Sequence, residues 1–165
     1  MEWSALEIHP ETPTTGVKLS ERFSKSNLDQ MLTNLNHSGS PYGIHFGPLE
    51  RMPNSHNALE AAEFARAHGK LKEYHSALMD AYFRDSKDIG DLELLSDLGK
   101  SMGLNKEELT SAVKSRAYET TLNNSEKEAH SMRINSTPTF IINNKYSIVG
   151  AQPIEAFRKL LDTLK

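Results

Sequence analysis

Cysteine is absent from this chain of 165 residues. Its absence excludes disulfides, thiolate metal ligands and a cysteine nucleophile among these residues. An excess of positive charge is also lacking: 19 Lys and Arg face 22 Asp and Glu, for a net charge of -3. With no basic stripe in any segment, nucleic acid is not an expected partner. No apolar run approaches the roughly 20 residues that span a bilayer, and no positively charged start leads into an apolar stretch. The expectation is a cytoplasmic protein with neither membrane anchor nor secretory signal. Internal repeats and low-complexity segments are missing too, and the length suits one domain with a sizeable core.

What is present is an ordered alternation of patterns. The opening MEWSALEIHP reads as a short strand over Met1–Pro10, with Trp3, Leu6 and Ile8 as its apolar bulk. After a Pro- and Thr-rich loop, Ser20 is a helix cap ahead of Leu28, Met31, Leu32 and Leu35, which share one helical face until Gly39, Ser40 and Pro41. The stretch YGIHFGPLERMPN is irregular, and its aromatic content suggests a loop packed on a body.

From Ser55 to about Ile134 the spacing predicts helices almost throughout. Ser55 opens one that points Leu59, Ala62 and Ala65 inward and stops at Gly69. Leu71, Tyr74, Leu78, Ala81 and Tyr82 define the next, and Leu95, Leu98 and Met102 another. The polar DSKDIGD between them reads as a solvated loop. Asn105 and Glu108 have the spacing of a capping box, and Tyr118, Leu122, Ala129 and Met132 mark a long last helix.

The segment INSTPTFIINNKYSIVG follows. Two apolar runs flank Asn143-Asn144, a hairpin signal because both turn residues tolerate positive φ. Pro138 has no N–H for a ladder, so it belongs at a strand entrance or an edge, and Thr137-Pro138 is a candidate cis bond. Pro153 suits a first helical position, and Ile154, Phe157, Leu160, Leu161 and Leu164 form the stripe of a terminal helix. The order strand, helical block, two strands, helix implies an α/β fold: a small sheet carrying a helical insertion larger than itself.

The residues TPTFIINNKYSIVGAQP, with EWSALEIHPE, SHNALEAAEFARAHGK and DIGDLELLSDLGKSMGL followed by NKEEL, resemble the DsbA-like thioredoxin-fold family, in particular its FrnE-like branch. The resemblance runs across essentially the whole chain. It implies a thioredoxin-like sheet and terminal helix from residues 1–10 and 135–165, and a loop and helical insertion over 11–134. In that family the TPTF proline is cis, beside a Cys-x-x-Cys, and the residue before it pairs with an extended substrate peptide by strand addition. Carried over, this makes Thr137 and Pro138 substrate-binding. The chain begins at the strand that in the family follows the cysteine-bearing helix, so the first strand, the redox motif and that helix have no counterpart here. The implied activity is that of a protein-disulfide oxidoreductase or isomerase, yet no residue here supplies the attacking thiolate.

Two other readings stand beside it. One is a non-redox module that binds extended peptides. The other follows a similarity to 2-hydroxychromene-2-carboxylate isomerases and kappa-class glutathione transferases, in which Asn54, Ser55 and His56 border a pocket and glutathione is the cofactor. No catalytic residue is assigned, since Ser55 and Ser136 have no evident base partner. Nor is a metal site: among seven histidines there is no His-x-x-x-His pair, and no carboxylate motif is read beside them. A strand at Met1–Pro10 without its neighbour would leave an open sheet edge; the expectation is either that the chain forms a homodimer through it or that the chain is a portion of a longer protein that covers it.

Overall fold

A computed structural model describes residues 2–164. Seven α-helices and four short strands follow one another in it, and the residues divide into two compact units. One unit is His9–Asn123; the other combines Met1–Ile8 with Asn124–Lys165.

In the first unit, β1 (Val17–Lys18) pairs antiparallel with β2 (Arg51–Met52), a ladder continued by the Leu19 N–H to Glu50 O bond of 2.9 Å. Neither strand is visible as a pattern, because two residues cannot display an alternation. Helix α1 (Lys25–Gly39) starts later than expected. Its cap is Ser24, whose hydroxyl accepts the Asn27 N–H, whereas Ser20 sits in a 3-10 turn over Leu19–Glu21. Both serines precede the same apolar stripe, and the one adjacent to its first turn wins the cap.

The loop after α1 packs on the body as its composition suggests. Asn36 holds it by donating to Phe46 O (3.0 Å) while accepting the Phe46 N–H (2.9 Å), imitating a strand partner. Gly47 lies so close to the chain at Arg84 that an added Cβ would stand 2.2 Å from that carbonyl oxygen. Its N–H donates to Phe83 O, and the Phe46 and Phe83 rings meet edge to face at 5.8 Å.

Helices α2 (His56–Ala67), α3 (Leu71–Met79), α4 (Leu92–Ser101) and α5 (Lys106–Lys114) build the core from Ala58, Ala61, Phe64, Ala65, Tyr74, Leu78, Leu95, Leu109 and Val113. The alanines of α2 allow neighbouring helices close approach, and the larger side chains of α3 to α5 pack in the same cluster. Gly69 ends α2 at φ +69°, and the Lys70 N–H returns to Ala65 O. After α3 the chain widens into a π turn over Asp80–Arg84. The DSKDIGD loop is solvated except at Ile89, which is 7% exposed and belongs to the core. Reading that loop as wholly solvent-facing misses this anchor.

Helix α6 (Glu119–Ser131) carries the chain from the first unit into the second. There β3 (Thr139–Ile142) and β4 (Tyr146–Val149) form an antiparallel hairpin with Asn143 and Asn144 both at φ +51°. Lys145 is an extra loop residue, since Ile142 pairs with Tyr146. Helix α7 (Ile154–Asp162) begins one residue past Pro153, which is its cap and not its first residue. Phe157 of α7 meets Phe140 of β3 edge to face at 4.9 Å.

The expected strand over Met1–Pro10 does not form. Met1 lies outside the described residues, and 2–8 make no ladder, with Trp3 42% and Ile8 39% exposed. Apolar alternation makes a strand only where a neighbour completes its hydrogen bonds, and none does so here. The α/β class with a dominant helical portion stands.

Candidate functional site

Two places hold the residues singled out by sequence, one in each unit. In the second unit, Thr137 and Pro138 are exposed at the entrance to β3 and joined by a cis peptide bond. The ladder register decides which way the backbone of β3 points. Pro138 O accepts the Gly150 N–H at 2.7 Å, and Phe140 and Ile142 stand opposite Ile148 and Tyr146. In an antiparallel pair the hydrogen-bonded positions alternate with positions whose N–H and C=O groups point away from the partner. Pro138, Phe140 and Ile142 thus face β4, and Thr137, Thr139 and Ile141 direct their backbone groups to the other side.

On that side β3 has no neighbouring strand among the described residues. The Thr139 hydroxyl closes the entrance by donating to Ser136 O at 2.8 Å. The result is a short row of donors and acceptors at period two, with Thr137 and Ile141 exposed and Thr139 half-buried, the form of edge to which an extended chain adds.

In the first unit, Asn54, Ser55 and His56 form the junction into α2, but they do not act alike. Ser55 is the N-cap residue of α2, but its hydroxyl makes no capping bond; Asn54 supplies one instead, its Oδ1 accepting the His56 N–H at 3.0 Å while its Nδ2 donates to Thr12 O at 2.6 Å. Ser55 contributes only its carbonyl, to the Leu59 N–H. Of the three, Asn54 is committed at both ends of its amide and Ser55 is backbone scaffolding. His56 alone presents a reactive group to a cluster.

His56 Nε2 lies 3.0 Å from Glu119 Oε2, the N–H donating to the carboxylate. One turn along α2 stands Glu60, wholly buried. The Tyr118 backbone N–H donates to its Oε2 at 2.9 Å, while its Oε1 is buried with no hydrogen-bond partner. Burial pushes the Glu60 carboxyl above the usual carboxylate range, against the opposing pull of the Tyr118 N–H and of His56. Glu119, the first residue of α6, arrives through the tight α5–α6 turn, where Arg116 takes φ +56°. Arg116 Nη1 in turn approaches Asn57 Oδ1 at 3.5 Å, and Asn57 Nδ2 donates to Gly90 O at 3.0 Å.

A search for two histidines on one helical face passes over this cluster, although His56 and Glu60 have the i, i+4 spacing that puts them on one face of α2. Carboxylates do stand beside a histidine here: Glu60 follows His56 by one turn of α2, and Glu119 lies 3.0 Å from its ring. Glu119 lies 63 positions from His56 and carries no local signal. Tyr74 is fully buried with its hydroxyl on Leu95 O, and Tyr82 donates to Arg51 O, so both tyrosines are occupied within the helical unit.

Among the described residues no helix is long and apolar enough to cross a membrane. A family model, that of the DSBA-like thioredoxin domain, matches residues 1–162. The protein YwbO of Bacillus subtilis (strain 168) is 28% identical over 164 residues, covering 98% of this chain and 80% of its own length. The crystal structure of the probable DsbA oxidoreductase SCO1869 from Streptomyces coelicolor superposes with a TM-score of 0.88 at 21% identity, over 97% of this chain and 73% of that one. At that identity the superposition speaks for the fold, and the family match speaks for descent: the chain belongs to the DSBA-like thioredoxin domain family.

Proposed function

We propose that this chain is the polypeptide-binding part of a protein-disulfide oxidoreductase or isomerase of the FrnE-like branch, receiving an extended segment of substrate along the outer edge of β3. The observation that carries the reading is the outward row of backbone groups at Thr137, Thr139 and Ile141, beginning at the exposed Thr137-Pro138 step. Strand addition draws its affinity from main-chain hydrogen bonds, so it accepts many sequences, as an enzyme acting on unfolded proteins requires. Membership in the family and the fold shared with a probable DsbA oxidoreductase support the class of activity. Thiol–disulfide exchange needs a thiolate, and this sequence has none, so the role assigned to its own residues is binding and orientation.

The test is a titration of the labelled protein with reduced, alkylated insulin B chain, followed by amide NMR. Thr137, Thr139 and Ile141 should shift, and Phe140 and Ile142 should move much less. A probe N-methylated at alternate residues should bind about tenfold more weakly, the equivalent of about 1.4 kcal/mol. Thr137→Ala should change affinity less than about threefold, because main-chain groups supply the pairing. Shifts confined to other surfaces, or equal binding of the methylated probe, would refute the proposal.

A further inference from the structure

The cluster at the start of α2 has a chemistry that peptide binding does not use. Among the described residues, His56, Glu60 and Glu119 offer one ligand atom each, an imidazole nitrogen and two carboxylate oxygens, all within 4.8 Å of one another. We propose that these three side chains bind one divalent cation of the borderline transition-metal class, with Zn²⁺ as the best fit.

Several observations converge on this. A tetrahedral zinc with bonds near 2.0–2.1 Å holds its ligand atoms about 3.4 Å apart. The His56–Glu119 pair stands at 3.0 Å, so a small opening of that pair and a closing of Glu60 produce the required spacing. One neutral imidazole with two carboxylates carries the charge that a divalent cation neutralises. Imidazole mixed with carboxylate selects zinc and its neighbours, whereas Mg²⁺ and Ca²⁺ prefer oxygen alone.

The strongest indication is Glu60. A carboxylate oxygen with no partner, on a side chain that is 0% exposed, is an unfavourable arrangement unless something compensates it. A cation does so directly. The Tyr118 N–H fixes the other oxygen, and Asn123 Nδ2 reaches Glu119 Oε1 at 3.5 Å, so both carboxylates have orienting partners behind them. The Glu119 side chain is 44% exposed, which leaves the outer side of the cluster open to water or to a ligand on the metal. Three protein ligands and an open position are the arrangement of zinc sites that do chemistry, while closed sites of four ligands are structural.

The experiment is calorimetric titration of the full-length, EDTA-treated protein with ZnCl₂, MnCl₂ and MgCl₂ in turn. One equivalent of Zn²⁺ should bind, at least about a hundredfold more tightly than Mg²⁺. His56→Ala, Glu119→Gln and Glu60→Gln should each weaken Zn²⁺ binding at least about tenfold, while His9→Ala and His130→Ala should leave it unchanged. Glu119 is partly exposed, so Glu119→Gln keeps the test decisive even if a change at buried Glu60 impairs folding, and far-UV circular dichroism verifies each variant. Zn²⁺ should also raise the Tm of the wild type and not of Glu119→Gln. Absence of stoichiometric binding, or binding that survives both His56→Ala and Glu119→Gln, would overturn the site. The two carboxylates would then serve only the N-terminus of α6.

Discussion

Tyr74 shows how one residue joins sequence pattern, packing and pH response. It lies on the inner face of α3, is fully buried, and donates its hydroxyl to Leu95 O at 2.8 Å. Burial drives its phenol well above the ordinary value, since an ionised oxygen there would face neither water nor a cation. The unfolded phenol ionises near its usual value of about 10. Above that pH the folded state holds the proton more tightly than the unfolded state, so the contribution of Tyr74 to stability is complete below about pH 10 and is lost as pH rises further. Tyr74→Phe should lower the stability at neutral pH by about 1 kcal/mol, and its alkaline decline should be shallower than that of the wild type. Urea denaturation at neutral pH and at several pH values above 10 measures both. The inward placement of Tyr74 was legible from its spacing with Leu71 and Leu78. The hydroxyl's partner on another helix was not, because periodicity reports a face and says nothing of what is opposite.

Among elements, α5 is specified by a local signal and the α2 junction is not. Asn105 accepts the N–H groups of Glu107 and Glu108, and its Nδ2 meets Glu108 Oε1 at 3.2 Å, so the capping-box spacing corresponds to a real cap. Asn105→Ala should cost about 1 kcal/mol in denaturant titration, whereas Asn105→Ser should cost much less. At α2 the pattern marked Ser55, which is the cap residue, but the side-chain bond there comes from Asn54, whose amide serves His56 and Thr12 at once. The difference is tertiary: Thr12 belongs to a remote loop that no window around α2 contains. The same reason hid β1 and β2, whose two-residue ladder depends wholly on residues 17 and 52 meeting. The hairpin of β3 and β4 was legible because its turn, strands and register are all local. That locality made Thr137 and Pro138 visible, and the assembly of Glu119 with His56 invisible.

For the whole molecule, the distribution of burial separates the two units. The hydrophobic core cluster draws on α2 to α5 and their connections, whereas β3, β4 and α7 contain no fully buried residue. Ile154 and Leu161 of α7 are each 49% exposed, and Val149 of β4 is 53% exposed. Local opening is easiest where few apolar groups are withdrawn from water. In hydrogen exchange followed by mass spectrometry, peptides from 139–162 should therefore take up deuterium well before those from 58–65, 71–81 and 92–114. Equal protection across the chain would contradict this reading. The division also has a temporal side. The helical unit is one uninterrupted stretch, but the other is assembled from both ends of the chain. During synthesis at about 5–20 residues per second, the helical unit has all its partners while the C-terminal hairpin is still untranslated. Its counterpart must wait until residues 139–162 have been made, with residues 2–8 unclaimed until then.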